Sequence, residues 1–323
     1  MKPSPRTLVL FAVLALLAAV PTLAAAFNQP FYLDLFRRIM IFAIAAASLN
    51  LILGYGGMVS FGHAAYLGIG AYAVGVLAHH GIHNGWLQWA VAIGGSALVA
   101  LVIGAVSIRT SGIYFIMITL AFTQMLYYMG ISIEEYGGDD GIRVAKLSQF
   151  EGLIDLANPT AFYYVVLALL AVVLLLVHRL VNSRFGMVIR AAKSNDARTR
   201  AIGFSPYPYR LAAFVIAGAI CGLAGALLVN QTAYLTPEFM NWTRSGELMF
   251  MVILGGIGTT AGPLFGAAAL LLLEDLLQGW SLLPKLVHNF WQFYLGIVLV
   301  LVVLFAKRGL AGLLRGSKDG ADG

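Results

Sequence analysis

Residues 54–72, GYGGMVSFGHAAYLGIGAY, place six glycines, a serine and a histidine in an otherwise apolar stretch of the chain. Glycine inside a helix costs about 1 kcal/mol relative to alanine, so an ordinary apolar helix would not contain so many. Glycine is useful where a helix is interrupted or where two backbones approach closely. The stretch therefore predicts a helix break at Gly54–Gly57, followed by a close-packing helix.

The composition of the whole chain places this stretch in a membrane. Of 323 residues, 60% are hydrophobic and 11% are charged, and the mean hydropathy is +0.88. Soluble domains contain about 25% charged residues, so that class is excluded. The apolar runs do not alternate with polar residues, as the strands of a membrane barrel would. We predict an all-α, polytopic transmembrane bundle that forms a single domain over residues 1–323.

Apolar runs long enough to cross a ~30 Å hydrocarbon core recur along the chain. About ten spans are expected, at 7–26, 37–53, 60–78, 87–108, 112–131, 160–178, 209–230, 247–258, 262–278 and 290–306. The eighth is short and fits a half-helix. The first resembles a signal peptide that ends at Ala24–Ala26, but its apolar run is longer than most such peptides, so we expect it to be retained.

The charges of the loops predict the orientation of the spans. Residues 179–210 contain seven basic residues and one acidic residue, Asp196, whereas residues 131–160, called the acidic loop below, contain six acidic and two basic residues. The positive-inside rule places the first region in the cytoplasm and the acidic loop outside. Both termini are basic and are expected to be cytoplasmic. Arg37 and Arg38 do not fit, because they would lie at the outer end of span two.

Signals for catalysis, metal binding or nucleotide binding are weak. Residues 186–194 lack the glycine before lysine that lets a phosphate loop wrap ATP, so this chain is not expected to bind ATP by itself. His79, His80 and His83 fit an interfacial polar cap better than a metal site. We expect no catalytic residues, no metal and no cofactor.

The spans also contain few groups that could couple transport to an ion gradient. The spans at 160–177, 209–230 and 249–273 contain no Asp, Glu, Lys or Arg, apart from Arg210 at the very start of the second. Proton- or sodium-coupled carriers usually place such residues near the membrane midplane. This weighs against a stand-alone secondary transporter.

Two glycine-flanked breaks are the candidate translocation path. Each contains Ile-Leu-Gly followed by a second glycine three residues later, and broken helices at membrane depth occur where they are buried or line a cavity. The glycines Gly218, Gly222 and Gly225, and likewise Gly258, Gly262 and Gly266, predict close helix packing. The candidate path residues are Gly54, Gly57, Ser60, His63, Tyr66, Gly255 and Gly258.

Residues 182–205, called the basic segment below, combine clustered positive charge with apolar residues at helical spacing. Phe185, Val188, Ile189 and Ala192 predict a short amphipathic helix, and Gly203 is expected to end it. One interpretation is a solvated loop that only sets topology. The other is a docking element for a cytoplasmic partner, which would contact both the apolar stripe and the charges.

Three blocks of the sequence together resemble one family. They are residues 48–72 (SLNLILGYGGMVSFGHAAYLGIGAY), 184–203 (RFGMVIRAAKSNDARTRAIG) and 245–267 (SGELMFMVILGGIGTTAGPLFGA). These blocks resemble the permease subunits of branched-chain amino acid ABC importers, specifically the M-type partner of a heterologous permease pair. The resemblance extends from about residue 40 to residue 305.

The resemblance implies a division of labour among several proteins. The partners would be a second, H-type permease, two cytoplasmic ATP-binding subunits and an extracytoplasmic solute-binding protein, in the bacterial inner membrane. The basic segment would couple to the ATPase through Arg184, Gly186, Arg190, Asn195, Asp196, Arg198 and Gly203. Related segments often have two acidic residues where this chain has Asp196 alone, which leaves the ion pairs with the ATPase open.

The function implied is ATP-driven import of leucine, isoleucine or valine by alternating access. Ser60, His63 and Tyr66 would contact the zwitterionic end of the solute transiently. The near alternative is a permease for urea or short-chain amides in the same family. The more distant alternative is a secondary carrier or channel that works alone.

Overall fold

The structure, a computed structural model, describes residues 5–27, 29–150, 152, 154–279, 291–305 and 309–310. The helices of this described part are α1 (Pro5–Ala26), α2 (Pro30–Asn50), α3 (His63–His79), α4 (Gly85–Ser107), α5 (Ile113–Ile131), α6 (Pro159–Val181), α7 (Arg184–Ser194), α8 (Asp196–Ala201), α9 (Pro206–Thr232), α10 (Trp242–Gly255), α11 (Gly262–Gly279) and α12 (Trp291–Phe305). Four two-residue strands, β1 (Ile142–Arg143), β2 (Gln149–Phe150), β3 (Ile154–Asp155) and β4 (Tyr234–Leu235), lie in the loops.

The predicted fold class, an all-α transmembrane bundle, is confirmed. Among the described residues, five stretches of helix are long and apolar enough to cross a membrane: Pro30–Tyr55, Gly85–Ser107, Ile113–Ile131, Pro159–Val181 and Pro206–Thr232. Each of the other predicted spans also corresponds to a helix. The eighth is short, as expected, because α10 has 14 residues and ends at Gly255.

The largest error in the predicted boundaries lies at the start of α2. This helix begins at Pro30, not at residue 37, so Arg37 and Arg38 lie inside it. Proline is favourable at the first helical position, where its missing N–H is not needed. Arg37 is 7% exposed, forms an ion pair with Asp34 and lies 4.7 Å over the ring of Phe162. These partners let the helix contain charges that interrupt the apolar pattern.

Helices α3, α4 and α9 cross one another in close contact in the core. A Cβ atom at Gly70 of α3 would lie 1.9 Å from the carbonyl oxygen of Gly222 of α9, and one at Gly225 would lie 1.9 Å from the carbonyl oxygen of Leu67. A Cβ at Gly218 would lie 2.4 Å from Ala100 of α4. The predicted packing face of Gly218, Gly222 and Gly225 is therefore confirmed: these glycines let three backbones cross in contact.

The bundle has two chemically different ends. The basic segment lies where α2 ends and α9 begins, because α7 contacts both α9 and the turn that follows α2. The acidic loop lies where α9 ends, because β1 pairs antiparallel with β4, which comes directly after α9, with Ile142 opposite Leu235. We call these the basic end and the acidic end. Helix α2 runs from the acidic end to the basic end, and α11 runs back.

Candidate functional site

The two predicted breaks meet at the basic end and form one unit. Helix α2 continues as a π-helical turn over Leu51–Tyr55 and the chain then stays non-helical until His63, while α10 and α11 are separated by residues 256–261. The side-chain NH₂ of Asn50 donates to the carbonyl oxygen of Thr259 at 2.8 Å, and its oxygen accepts from the N–H of Gly258 at 2.9 Å. A single amide thus joins both breaks.

Glycine is required where the breaks touch. A Cβ at Gly54 would lie 2.6 Å from the backbone nitrogen of Gly258, and Gly258 itself has a φ of +73°, which residues with a side chain rarely adopt. Gly258 therefore belongs to the non-helical connection. The prediction that it shares a helical packing face with Gly262 and Gly266 is wrong. Gly266 itself does lie in close packing, because a Cβ there would be 1.7 Å from the carbonyl oxygen of Met251.

Hydroxyl side chains of two other helices pair with the backbone that the first break leaves free. Thr119 of α5 accepts from the N–H of Phe61 at 3.3 Å, and Thr123 donates to the carbonyl oxygen of Phe61 at 3.2 Å. Ser245 of α10 donates to the same oxygen at 2.7 Å and accepts from the N–H of Ala64 at 2.9 Å. Irregular backbone survives at membrane depth only when its polar groups are paired in this way. Sequence reasoning missed these residues; the only signal was a hydroxyl group within an apolar span.

Three of the predicted path residues lie in the packed interior. Ser60, His63 and Tyr66 are fully buried, and Ser60 accepts from the N–H of Gly62 at 3.0 Å. The rings of His63 and Tyr66 pack edge to face, with centroids 5.5 Å apart. Both ring nitrogens of His63 and the hydroxyl of Tyr66 lack a hydrogen-bond partner among the described residues. Their contact with solute stays a prediction.

The basic segment touches the first break directly. Nζ of Lys193 in α7 donates to the carbonyl oxygen of Gly54 at 2.6 Å. That oxygen is free because the N–H of Met58 pairs instead with Ile52. The Lys193 stem also packs where a Cβ of Gly57 would be, 2.9 Å from its Cγ, and Gly57 has a φ of +69°. Lys193 was not among the predicted site residues.

The basic segment contains two helices, so the prediction of one helix that ends at Gly203 is wrong. Asn195 is extended, with φ −157° and ψ 107°, and separates α7 from α8. Its side-chain oxygen accepts from the N–H of Arg198 at 2.9 Å and caps α8. Asparagine is among the best N-capping residues, which explains the new start. Gly203, with a φ of +92°, follows the end of α8.

The apolar stripe of α7 faces the bundle. Val188, Ile189 and Ala192 are buried, and a Cβ at Gly186 would lie 2.2 Å from the carbonyl oxygen of Val181, where α6 ends. This stripe is therefore occupied, and the interpretation that it docks a partner is wrong for these residues. The exposed side chains of the segment instead include five cations and three larger apolar groups: Arg184, Arg190, Lys193, Arg198, Arg200, Met187, Ile202 and Phe204.

Asp196 is engaged within the chain. Its carboxylate pairs with Arg200 at 2.9 Å and with Arg210 of α9 at 3.1 Å. Arg210 also donates to the carbonyl oxygen of Ala192 at 3.1 Å. Asp196 and Arg210 thus fasten both helices of the basic segment to α9. A role of Asp196 in contacting an ATPase stays a prediction.

Comparison with known proteins agrees with this geometry. A family model described as "Branched-chain amino acid transport system / permease component" matches residues 31–303. This chain belongs to that family. The predicted resemblance is therefore confirmed, and the paired breaks and the attached basic segment are features of a permease.

Relatives of this permease cover most of the chain. It is similar to the high-affinity branched-chain amino acid transport system permease protein LivM of Escherichia coli (strain K12), with 26% identity over 305 residues, 87% of this chain and 70% of the relative. A probable LivM permease of Methanocaldococcus jannaschii is 24% identical over 84% of this chain and 90% of its own length. The permease protein LivH of E. coli K12 is 23% identical over 84% of this chain and 91% of its own. No solved structure matches the chain.

Proposed function

We propose that this permease is one of two membrane subunits of an ATP-driven importer of branched-chain amino acids. The proposal places it in the bacterial inner membrane with the basic end in the cytoplasm, as the positive-inside rule favours. The family and the relatives named as LivM and LivH support the substrate class and a second permease as partner. A pair of ATP-binding subunits and an extracytoplasmic solute-binding protein complete the assembly.

The hydrogen bond from Lys193 to Gly54 is the observation that supports the mechanism. The exposed cations and apolar side chains of the basic segment form the docking surface for an ATP-binding subunit. Movement of that subunit displaces α7, and Lys193 passes the displacement to Gly54, where the two breaks meet. Because interrupted helices bend at the interruption, this contact couples the movement of the ATP-binding subunit to the change between outward-open and inward-open states.

Reconstitution tests the proposal. The chain is placed in liposomes with its partner permease, ATP-binding subunits and solute-binding protein, and uptake of labelled leucine is measured with and without ATP. We expect uptake that requires ATP and every subunit. Uptake of urea or a short amide in place of leucine would assign the chain to the near alternative. Leucine uptake by this chain alone, driven by an ion gradient, would overturn the ATP-driven function.

Lys193→Met is expected to reduce ATP-driven uptake about tenfold while the ATPase still binds. The substitution keeps most of the apolar stem but removes the donor to Gly54, and a hydrogen bond from a charged group contributes about 1.5–3 kcal/mol. Initial rates of uptake and ATP hydrolysis in the same liposomes measure the effect. Lys146→Met in the acidic loop removes the same charge from an exposed site and should change neither rate. Equal uptake by both variants would show that Lys193 does not transmit movement.

A further inference from the structure

A charged cavity of about 440 Å³ lies toward the acidic end of the bundle, between α2, the end of α9, α10, α11 and α12. Its charged lining comes from four carboxylates and two guanidinium groups: Asp34, Arg38, Arg244, Glu247, Glu274 and Asp275. Arg38, which the sequence could not account for, lies eight residues beyond the start of α2, about 12 Å along the helix. Arg38 is exposed and lines the cavity, and an ionisable side chain on a membrane-spanning helix that faces a cavity is usually functional.

Only some of these charges neutralise one another. Arg244 pairs with Glu247 at 2.8 Å, and Asp34 pairs with Arg37, which is not part of the lining. Arg38, Glu274 and Asp275 form no ion pair with any described residue. Within the described part of the chain, the cavity therefore presents one cationic group and two carboxylates without an ion-pair partner.

A second cavity, of about 520 Å³, adjoins the first and is apolar. The two cavities share Glu247, Glu274, Trp291 and Gln292. Beyond these residues the second is lined by Phe250, Leu270, Leu295, Gly296, Leu299, Val300 and Leu304. Both volumes fall within the ~300–1,000 Å³ range of small-molecule sites. A charged compartment of both signs thus opens onto an aliphatic one.

We propose that these joined cavities bind an α-amino acid with an aliphatic side chain as it enters the permease. The guanidinium of Arg38 takes the α-carboxylate, because its planar donors match a carboxylate. Glu274 takes the α-ammonium group, and the aliphatic compartment takes the side chain. The inference rests on the proposed function for the direction of transport. Urea has neither charge nor an apolar group, so it would form neither ion pair and would leave the aliphatic compartment empty.

Binding of leucine and two analogues to the purified full chain tests the site without any variant. The chain is placed in nanodiscs of phosphatidylglycerol, and titration compares leucine with 3-methylbutylamine, which lacks the carboxylate, and 4-methylpentanoate, which lacks the ammonium group. We expect leucine to bind at least tenfold more tightly than either analogue. Equal affinities for leucine and one of the analogues would overturn the site. The site would also be overturned if leucine showed no saturable binding either to the chain alone or to its complex with the second permease.

Matched variants locate the binding. Arg38→Gln and Glu274→Gln should each weaken leucine binding at least tenfold, and Arg38→Lys less. Arg109→Gln and Glu134→Gln remove the same charges from exposed positions and should leave binding unchanged. Leucine binding that Arg38→Gln and Glu274→Gln leave intact would overturn the site. Loss of leucine binding when the nanodiscs are made of phosphatidylethanolamine would also overturn the site, because the cavity would then hold a zwitterionic lipid headgroup.

Binding and uptake measurements together distinguish failure of the binding site from failure of the proposed transport function. Binding is measured without ATP-binding subunits, so saturable leucine binding together with failed ATP-driven uptake supports the site and refutes the transport mechanism. ATP-driven leucine uptake that is the same in Arg38→Gln, Glu274→Gln and the unmodified chain refutes the site and leaves the mechanism standing.

Discussion

Gly225→Ala is expected to lower the free energy of unfolding by about 3 kcal/mol. The added Cβ would lie 1.9 Å from the carbonyl oxygen of Leu67 and 3.0 Å from the backbone nitrogen of Ala71. Both neighbours are backbone atoms of α3, so the helices themselves must separate, and overpacking of this kind costs about 1–3 kcal/mol or more. Unfolding of the purified chain in mixed micelles, followed by circular dichroism, measures the change.

Gly94→Ala in α4 is the matched control. A Cβ at Gly94 would have nothing within 4 Å, so the same substitution should be neutral or stabilise the helix by up to about 1 kcal/mol. The pair therefore separates close packing from helix propensity. Equal unfolding free energies for the two variants would mean that α3 and α9 do not cross at Gly225.

Asn50→Leu is expected to cost about 2–6 kcal/mol and to abolish transport. Leucine has a similar size but no polar atoms, so the N–H of Gly258 and the carbonyl oxygen of Thr259 lose their partner. An unpaired buried backbone group costs about 1–3 kcal/mol; Gly258 and Thr259 are half-buried, so the two together should cost an amount near the lower end of the range. Unfolding of the purified chain and ATP-driven leucine uptake in liposomes measure the two effects.

Asn182→Leu provides the control for stability. Asn182 is exposed after α6 and its NH₂ donates to the carbonyl oxygen of His178 in its own helix at 2.9 Å. Its loss exposes that carbonyl to solvent, so the change in unfolding free energy should be small. A similarly small change for Asn50→Leu would contradict the view that this amide joins the two breaks.

The spans and the breaks were predictable because their signals are local. Hydropathy marks a helix wherever apolar residues run for the thickness of a bilayer, and clustered glycines mark where the helix ends or packs closely. The late predicted start of α2 has the same cause: Arg37 and Arg38 interrupt the apolar run. Arg37 is accommodated by its ion pair with Asp34 and by the ring of Phe162, which lies on a different helix.

The partners of the breaks were not predictable, because they come from distant parts of the chain. Asn50 and Thr259 are 209 residues apart in sequence, and Lys193 lies 139 residues from Gly54. No spacing rule connects such positions. Asn195 is different, because an N-capping residue within the basic segment was a visible local signal for the second helix.

In the proposed mechanism, the bond from Lys193 to Gly54 would make α2 a lever. Its pivot lies at the basic end, at the break, and Arg38 lies 16 residues away along the same helix, which is about 24 Å at 1.5 Å per residue. A tilt of about 5° at the pivot would displace Arg38 by about 2 Å, enough to break a hydrogen bond. A small shift of the basic segment would thus be enlarged at the charged cavity and would change the fit around a bound molecule.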